Sequence, residues 1–315
     1  MIISASRRTD IPAFYSEWFI NRIRAGYAAV PNPYYPDKVS RVSLRPDHVD
    51  AIAFSTRNPR PLFAHLDELD GRGFQYYFLI TILGNPPLLD PKSPSLHAAL
   101  DNFLKLSRRT GPERVIWRYD PIVFSSQTGI DYHLEQFRTI ARNLSGATHH
   151  CIISFLDDYA KARPRLNTLP GKGMILYQPD EQRDAIGSLT TGLAQIASEN
   201  HMEITSCAEL YDLTPYGVKP GKCIDDELVE RLTGKRLTYK KDPAQRKMCR
   251  CAESRDIGMY DSCLFGCLYC YATKDFSQSL QNYRQHDPRS PSLLGWFDAP
   301  ETQAEAPCIQ PPLFG

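Results

Sequence analysis

Six short apolar, β-rich runs recur between residue 1 and about residue 210, and each gives way to polar residues and then to a helical pattern. The runs are Ile2 to Ser6, Ala51 to Phe54, Tyr76 to Leu83, Arg114 to Pro121, His149 to Leu156 and Met202 to Cys207. The helical patterns fall around 14–23, 61–69, 97–106, 132–144 and 180–199, where apolar residues recur about every three to four positions. Tyr76 to Leu83 is almost continuously apolar, as expected for a strand buried on both faces. Parallel strands need long crossovers, so this alternation predicts a parallel sheet with helices between its strands. The sheet could curl into a partial barrel or stay open and doubly wound, and the pattern does not choose. Either way a ligand would bind at the carboxyl ends of the strands. The polar residues gather there: Arg7, Arg8, Thr9, Asp10, Ser55, Thr56, Arg57, Asn58, Arg118, Asp120, Asp157, Cys207 and Glu209. Arg7, Arg57 and Arg118 each follow or interrupt a strand, which an anionic ligand over the sheet would explain.

The nine cysteines are distributed very unevenly. Cys151 lies inside a strand and is expected in the core; Cys308 lies in a Pro-rich tail. The other seven run from Cys207 to Cys270. The start of the chain does not read as a secretory signal, so a cytoplasmic, reducing setting is expected, in which clustered cysteines are better read as metal or redox ligands than as disulfides. No run of eighteen apolar residues predicts a membrane span. With a formal net charge of +1, nothing favours broad attraction to nucleic acid, although a local basic groove stays open.

Cys263, Cys267 and Cys270 form a C-x3-C-x2-C loop. A loop of this kind can point three thiolates at three irons of one cubane and leave the fourth iron for another ligand. Gly266 relaxes the backbone before the middle cysteine. Zinc with a fourth ligand from Cys249 or Cys251 is the competing reading, although structural zinc usually shows C-x2-C pairs. Cys207, Cys223, Cys249 and Cys251 are candidates for a second iron–sulfur cluster, with buried, unrelated thiols as the alternative. His149 and His150, at the start of the fifth strand, are more simply structural.

The loop resembles that of radical S-adenosylmethionine (SAM) enzymes, in which an aromatic residue precedes the last cysteine; here it is Tyr269. The string from Gly266 to Ala272 is similar to the cluster loop of spore photoproduct lyase and related DNA-repair photolyase-like proteins. Ser6 to Pro12, Trp117 to Ile122, and Asp256 to Tyr260 running into Cys263 resemble domain-of-unknown-function family 1848 over nearly the whole chain. The resemblance implies a [4Fe–4S] cluster on Cys263, Cys267 and Cys270, SAM bound at the unique iron, and an electron donor such as a flavodoxin or ferredoxin. It implies that Tyr269 contacts the adenine. Thr56, Arg57 and Arg118 are candidates for the SAM carboxylate and ribose. The expected fold is a partial, six-unit β/α barrel over 1–207, a cysteine-rich segment over 208–285 folding across the barrel mouth, and an irregular tail over 286–315. The chain departs from ordinary radical SAM enzymes in two respects. Its cysteine loop follows all six strands rather than the first, which fits a circular permutation or a fold-back. The glycine–glycine–glutamate motif for the SAM amino group is absent. A non-catalytic iron–sulfur protein for electron transfer or redox sensing, and a zinc-stabilised nucleic-acid-binding protein, are the alternatives.

Overall fold

A computed structural model describes residues 1–177 and 182–299. Among the described residues ten strands form in chain order: β1 (Ile2–Ala5), β2 (Tyr27–Pro31), β3 (Val39–Ser43), β4 (Ala51–Thr56), β5 (Tyr76–Thr81), β6 (Val115–Ile122), β7 (His150–Phe155), β8 (Glu203–Ser206), β9 (Lys219–Pro220) and β10 (Ser254–Asp256). Eight of them make one sheet in the order β10-β1-β4-β5-β6-β7-β8-β9, with every neighbouring pair parallel. The strands β2 and β3 pair separately as an antiparallel ribbon.

The six expected strands are all present and adjacent in the order read from the sequence. The expected count of six is nevertheless too low. Two further strands, β9 and β10, come from the cysteine-rich segment and extend the sheet at opposite edges. They span two and three residues, too few to show a period, and β9 is exposed. The segment expected only to cover the mouth is therefore also part of the sheet.

Alternate side chains of each strand face two different interiors. On one face Ile3, Ile52, Phe54, Phe78, Trp117 and Ile153 pack against helices. These include Ser16–Ala25, Leu96–Thr110, Ile130–Leu144 and Arg183–Glu199, which match the expected helical patterns to within a few residues. Cys151 belongs to this core and is completely buried, as expected. On the other face Ile2, Ala53, Tyr77, Leu79, Ile116 and Ile152 pack against Leu228 and Val229 of helix Asp226–Thr233 and against Cys207, Cys223, Cys249 and Cys251. Ala51 and Ala53 are small inward residues beside the large Tyr77, whose hydroxyl donates to the Cys223 carbonyl at 3.0 Å.

The two sheet edges also approach each other. The Ala252 N–H, just before β10, donates to the Ile224 carbonyl, just beyond β9, at 3.0 Å. At the other flank Asp256 of β10 accepts from Ser4 Oγ (3.0 Å), Ser6 Oγ (2.9 Å), Arg7 N–H (2.7 Å) and Gly258 N–H (2.9 Å). Segments about 250 residues apart in sequence are thereby joined at β1. No helix among the described residues is long and apolar enough to cross a membrane. Cys308 lies outside the described residues.

Candidate functional site

Strand ends of a parallel sheet leave a crevice where the chain turns away into its crossovers. Here that crevice is lined by Arg7, Asp10, Arg57, Arg118, Asp120 and Ser154 from four strands, β1, β4, β6 and β7, or the turns after them, and all three loop cysteines line the same pocket. The cysteine loop thus sits over the carboxyl ends of the strands although it follows them all in sequence. β10 explains how: it lies beside β1 in parallel register, so the chain leaves it on the same face of the sheet as the β1 turn.

Several groups hold the loop in place. Leu268 N–H donates to the Leu89 carbonyl at 3.0 Å. Tyr271 Oη donates to the Arg7 carbonyl at 2.7 Å, and Tyr15 Oη to the Ser262 carbonyl at 2.7 Å. Arg165 grips the loop through carbonyls: those of Leu268 at 3.0 Å, Thr273 at 2.7 Å, Lys274 at 3.1 Å, and Cys270. Gly266 has φ +70°, a left-handed conformation that turns the backbone just before Cys267 at little cost without a Cβ.

The donor set suits an iron–sulfur cubane. Three thiols from one short loop enter one pocket, and Cys267 is buried while Cys263 and Cys270 are half-buried. Burial pushes the Cys263 and Cys267 thiols upward in pKa, and the Arg57 guanidinium partly opposes this at both. A cationic cluster core would complete that opposition by holding them as thiolates.

The residues expected around SAM lie at this site, but several are bonded to each other. Arg57 donates from Nη2 to the Tyr269 hydroxyl at 2.5 Å and from Nη1 to Ser93 Oγ at 3.0 Å. It also stands 3.4 Å from the Asp90 carboxylate. Thr56 Oγ1 donates to Asp10 at 2.7 Å and accepts from Asn58 N–H at 2.9 Å, so it builds the turn after β4. Asp10 also accepts from Arg57 N–H and Ala13 N–H, yet burial raises its pKa to about 6. Arg118 pairs with Asp120 and lies near Cys207, Cys223 and Tyr271. His150 bonds Thr205 Oγ1 through Nε2 at 2.8 Å, in keeping with a structural role.

Asp90, Arg165 and Asp256 were not singled out from the sequence. Asp90 sits in the loop after β5 and Arg165 in the short helix Arg163–Leu166 after β7, and only the folded sheet brings them to the cysteine loop. Asp256 belongs to the string that carried the family resemblance, but nothing local marked it as an acceptor for the β1 turn.

A family model for a domain of unknown function, DUF1848, matches residues 2–272. The chain belongs to the DUF1848 family. That match spans the sheet, the four inner cysteines and the cysteine loop of this DUF1848 protein, so they form one family unit. No curated protein matches the chain. Among solved structures, a crystal structure of a candidate alpha-L-fucosidase from Bacteroides thetaiotaomicron is similar at 13% identity, covering 76% of this chain and 83% of the other with a TM-score of 0.31. A likeness of that degree says nothing about activity.

Proposed function

We propose that this DUF1848 protein is a radical SAM-type iron–sulfur enzyme, with a [4Fe–4S] cluster on Cys263, Cys267 and Cys270. The observation that carries this reading is that all three loop cysteines share one pocket with Arg7, Arg57 and Arg118 at the strand ends. A cluster bound there would supply one electron, taken from a donor such as a flavodoxin or ferredoxin, for cleavage of SAM to methionine and a 5′-deoxyadenosyl radical that abstracts a substrate hydrogen.

The protein's own groups orient and enclose. The guanidinium of Arg118, on the pocket wall, suits the SAM carboxylate, because a planar fork can hold both oxygens at once. Arg57 acts one step back, by fixing Tyr269 and with it the backbone between Cys267 and Cys270. Tyr159 and Tyr271, with ring centroids 5.2 Å apart, form an aromatic wall that would shield a reactive intermediate from water.

The test is anaerobic reconstitution with iron and sulfide, followed by iron counting and a search for 5′-deoxyadenosine after reduction with SAM present. About four irons per chain in the loop, lost in a Cys263→Ala, Cys267→Ala, Cys270→Ala variant, are expected, together with SAM cleavage. Zinc in the loop, or a stable cluster that never cleaves SAM, would sink the reading.

A further inference from the structure

The inner face of the sheet holds a second sulfur group that the chemistry above does not use. Cys207 follows β8, Cys223 follows β9, and Cys249 and Cys251 precede β10. Cys207 Sγ and Cys223 Sγ are 3.2 Å apart. Cys251 Sγ accepts from the N–H groups of Cys223 at 3.3 Å and Ile224 at 3.4 Å, and Cys249 Sγ from Cys251 N–H at 3.5 Å. All four are buried, among Tyr77, Leu79, Ile224 and Val229.

One buried thiol is an ordinary small hydrophobe. Four brought together from three separate stretches of chain need another explanation. Backbone N–H groups aimed at sulfur are the kind of outer-shell support that metal-bound thiolates receive. The guanidinium groups of Arg7, Arg118 and Arg246 lie near enough to act on these sulfurs, even though each also has a carboxylate partner, in Asp242, Asp120 and Asp157.

We propose that Cys207, Cys223, Cys249 and Cys251 hold a single tetrahedral metal ion, with zinc the expected occupant, and that this ion clasps the two edges of the sheet. The distances favour one ion over a second cubane. With metal–sulfur bonds of about 2.3 Å, neighbouring sulfurs of a tetrahedron lie about 3.8 Å apart. A cubane carries each thiolate on a different iron and spreads them to about 6–7 Å. The 3.2 Å contact between Cys207 and Cys223 needs only a small opening for the first and a wholesale separation for the second. Among the described residues no three metal-ligating side chains already surround one point. Binding therefore requires the thiols to release their protons to solvent and turn toward the ion.

The ion's position gives it a role. Two ligands belong to the β8–β9 edge and two to the lead-in of β10, so it would reinforce the Ala252–Ile224 backbone hydrogen bond and the two N–H contacts to Cys251 Sγ that already join the edges. Because β10 runs on into the cysteine loop, the same clasp would keep Cys263, Cys267 and Cys270 over the strand ends. This inference does not rest on SAM chemistry and survives its failure.

The full chain, purified without chelator, is the material for the test. Metal analysis with X-ray absorption at the zinc edge is expected to give about one zinc per chain with four sulfurs at about 2.3 Å. In a Cys263→Ser, Cys267→Ser, Cys270→Ser variant, which leaves this group intact, cobalt(II) titration should give thiolate-to-cobalt charge-transfer absorption that saturates at one equivalent. A single iron bound by four sulfurs with no iron–iron scattering would equally support the tetrahedral site. A second four-iron complement, zinc bound by nitrogen or oxygen, or a Cys207–Cys223 disulfide in the freshly purified chain would overturn it. A Cys249→Ser, Cys251→Ser variant should lose the zinc. Should that variant not fold, the wild-type absorption spectrum and the cobalt titration decide the matter without it.

Discussion

The Tyr269 hydroxyl donates to Asp90, lying 2.7 Å from each carboxylate oxygen, between the last two cysteines of the loop and a turn more than 170 residues earlier. Arg57 completes the group from β4's end. A residue expected to contact adenine is thus also the bolt that fixes the loop. Its ring can still face a ligand; its hydroxyl is fully engaged.

Tyr269→Phe should therefore act before any cofactor is added. It removes one acceptor from Arg57 and one donor from Asp90, both largely buried. A loss of about 1–3 kcal/mol is expected in urea unfolding of the cofactor-free chain. An unchanged midpoint would mean that the hydroxyl does not hold the loop.

Arg165→Ala tests the second support. Arg165 bonds four carbonyls of the loop and of the stretch just after it. Outer-shell losses of this sort typically weaken metal binding about 10–100-fold, so iron retained after gel filtration should fall steeply while the far-ultraviolet circular dichroism spectrum stays the same. Equal iron retention in the two proteins would count against the role.

Asp256 should be critical for stability. It accepts four hydrogen bonds and faces Arg7 and Arg8 at 3.9 and 3.6 Å. Asp256→Ala leaves Arg8 buried without the carboxylate it faces and Arg7 with Asp242 alone, at a cost of about 3–5 kcal/mol. Gly258→Ala reaches the same network sterically, since the new Cβ would lie 2.0 Å from Ser6 Oγ and 2.7 Å from Ser6 Cβ. Chemical denaturation of the two variants should show both well below the wild type.

His133 should make the fold acid-sensitive. It is fully buried, with Nδ1 2.9 Å from Tyr119 Oη and Nε2 3.1 Å from the Val123 carbonyl, so Nε2 carries the proton and Tyr119 donates to Nδ1. Burial lowers its pKa from 6.5 to about 4. Between those values the unfolded chain binds more protons, so stability rises with pH; the contribution is complete above 6.5 and is lost as pH falls through 4. Its size is about 3 kcal/mol. Asp10 has the opposite sign, because its folded pKa is raised from 3.8 to about 6 and its contribution is lost as pH rises through that range. His133→Asn should remove this rising contribution between pH 4 and 6.5 and leave a steeper fall of stability with pH, set by Asp10 and by Glu209, whose carboxyl burial raises from 4.5 to about 8. Urea midpoints measured at several pH values would reveal a profile indistinguishable from wild type if His133 does not titrate this way.

Local pattern carried the six central strands of the large sheet, four helices packed on it and the three-cysteine loop. Each is a short-range property: a two-residue or 3.6-residue period, or a spacing of three and two between thiols. The hairpin of β2 and β3 and helix Phe276–Arg284 were not read, because the first has mixed burial and the second is a polar helix with one buried residue, Ser279. The edge strands β9 and β10 were beyond reach for a different reason: they are strands only because longer neighbours offer them hydrogen bonds. Pairing of that kind also decides the position of the cysteine loop, since β10 beside β1 aims it at the strand ends. The same holds for Cys207 against Cys223, Arg165 against the loop carbonyls, and Asp90 against Tyr269. The sequence by itself determined the six central strands, the four helices between them and the clustering of the cysteines. Only the tertiary structure decided which of them meet, because contacts between residues more than 250 positions apart follow from strand order in the sheet and leave no period in the chain.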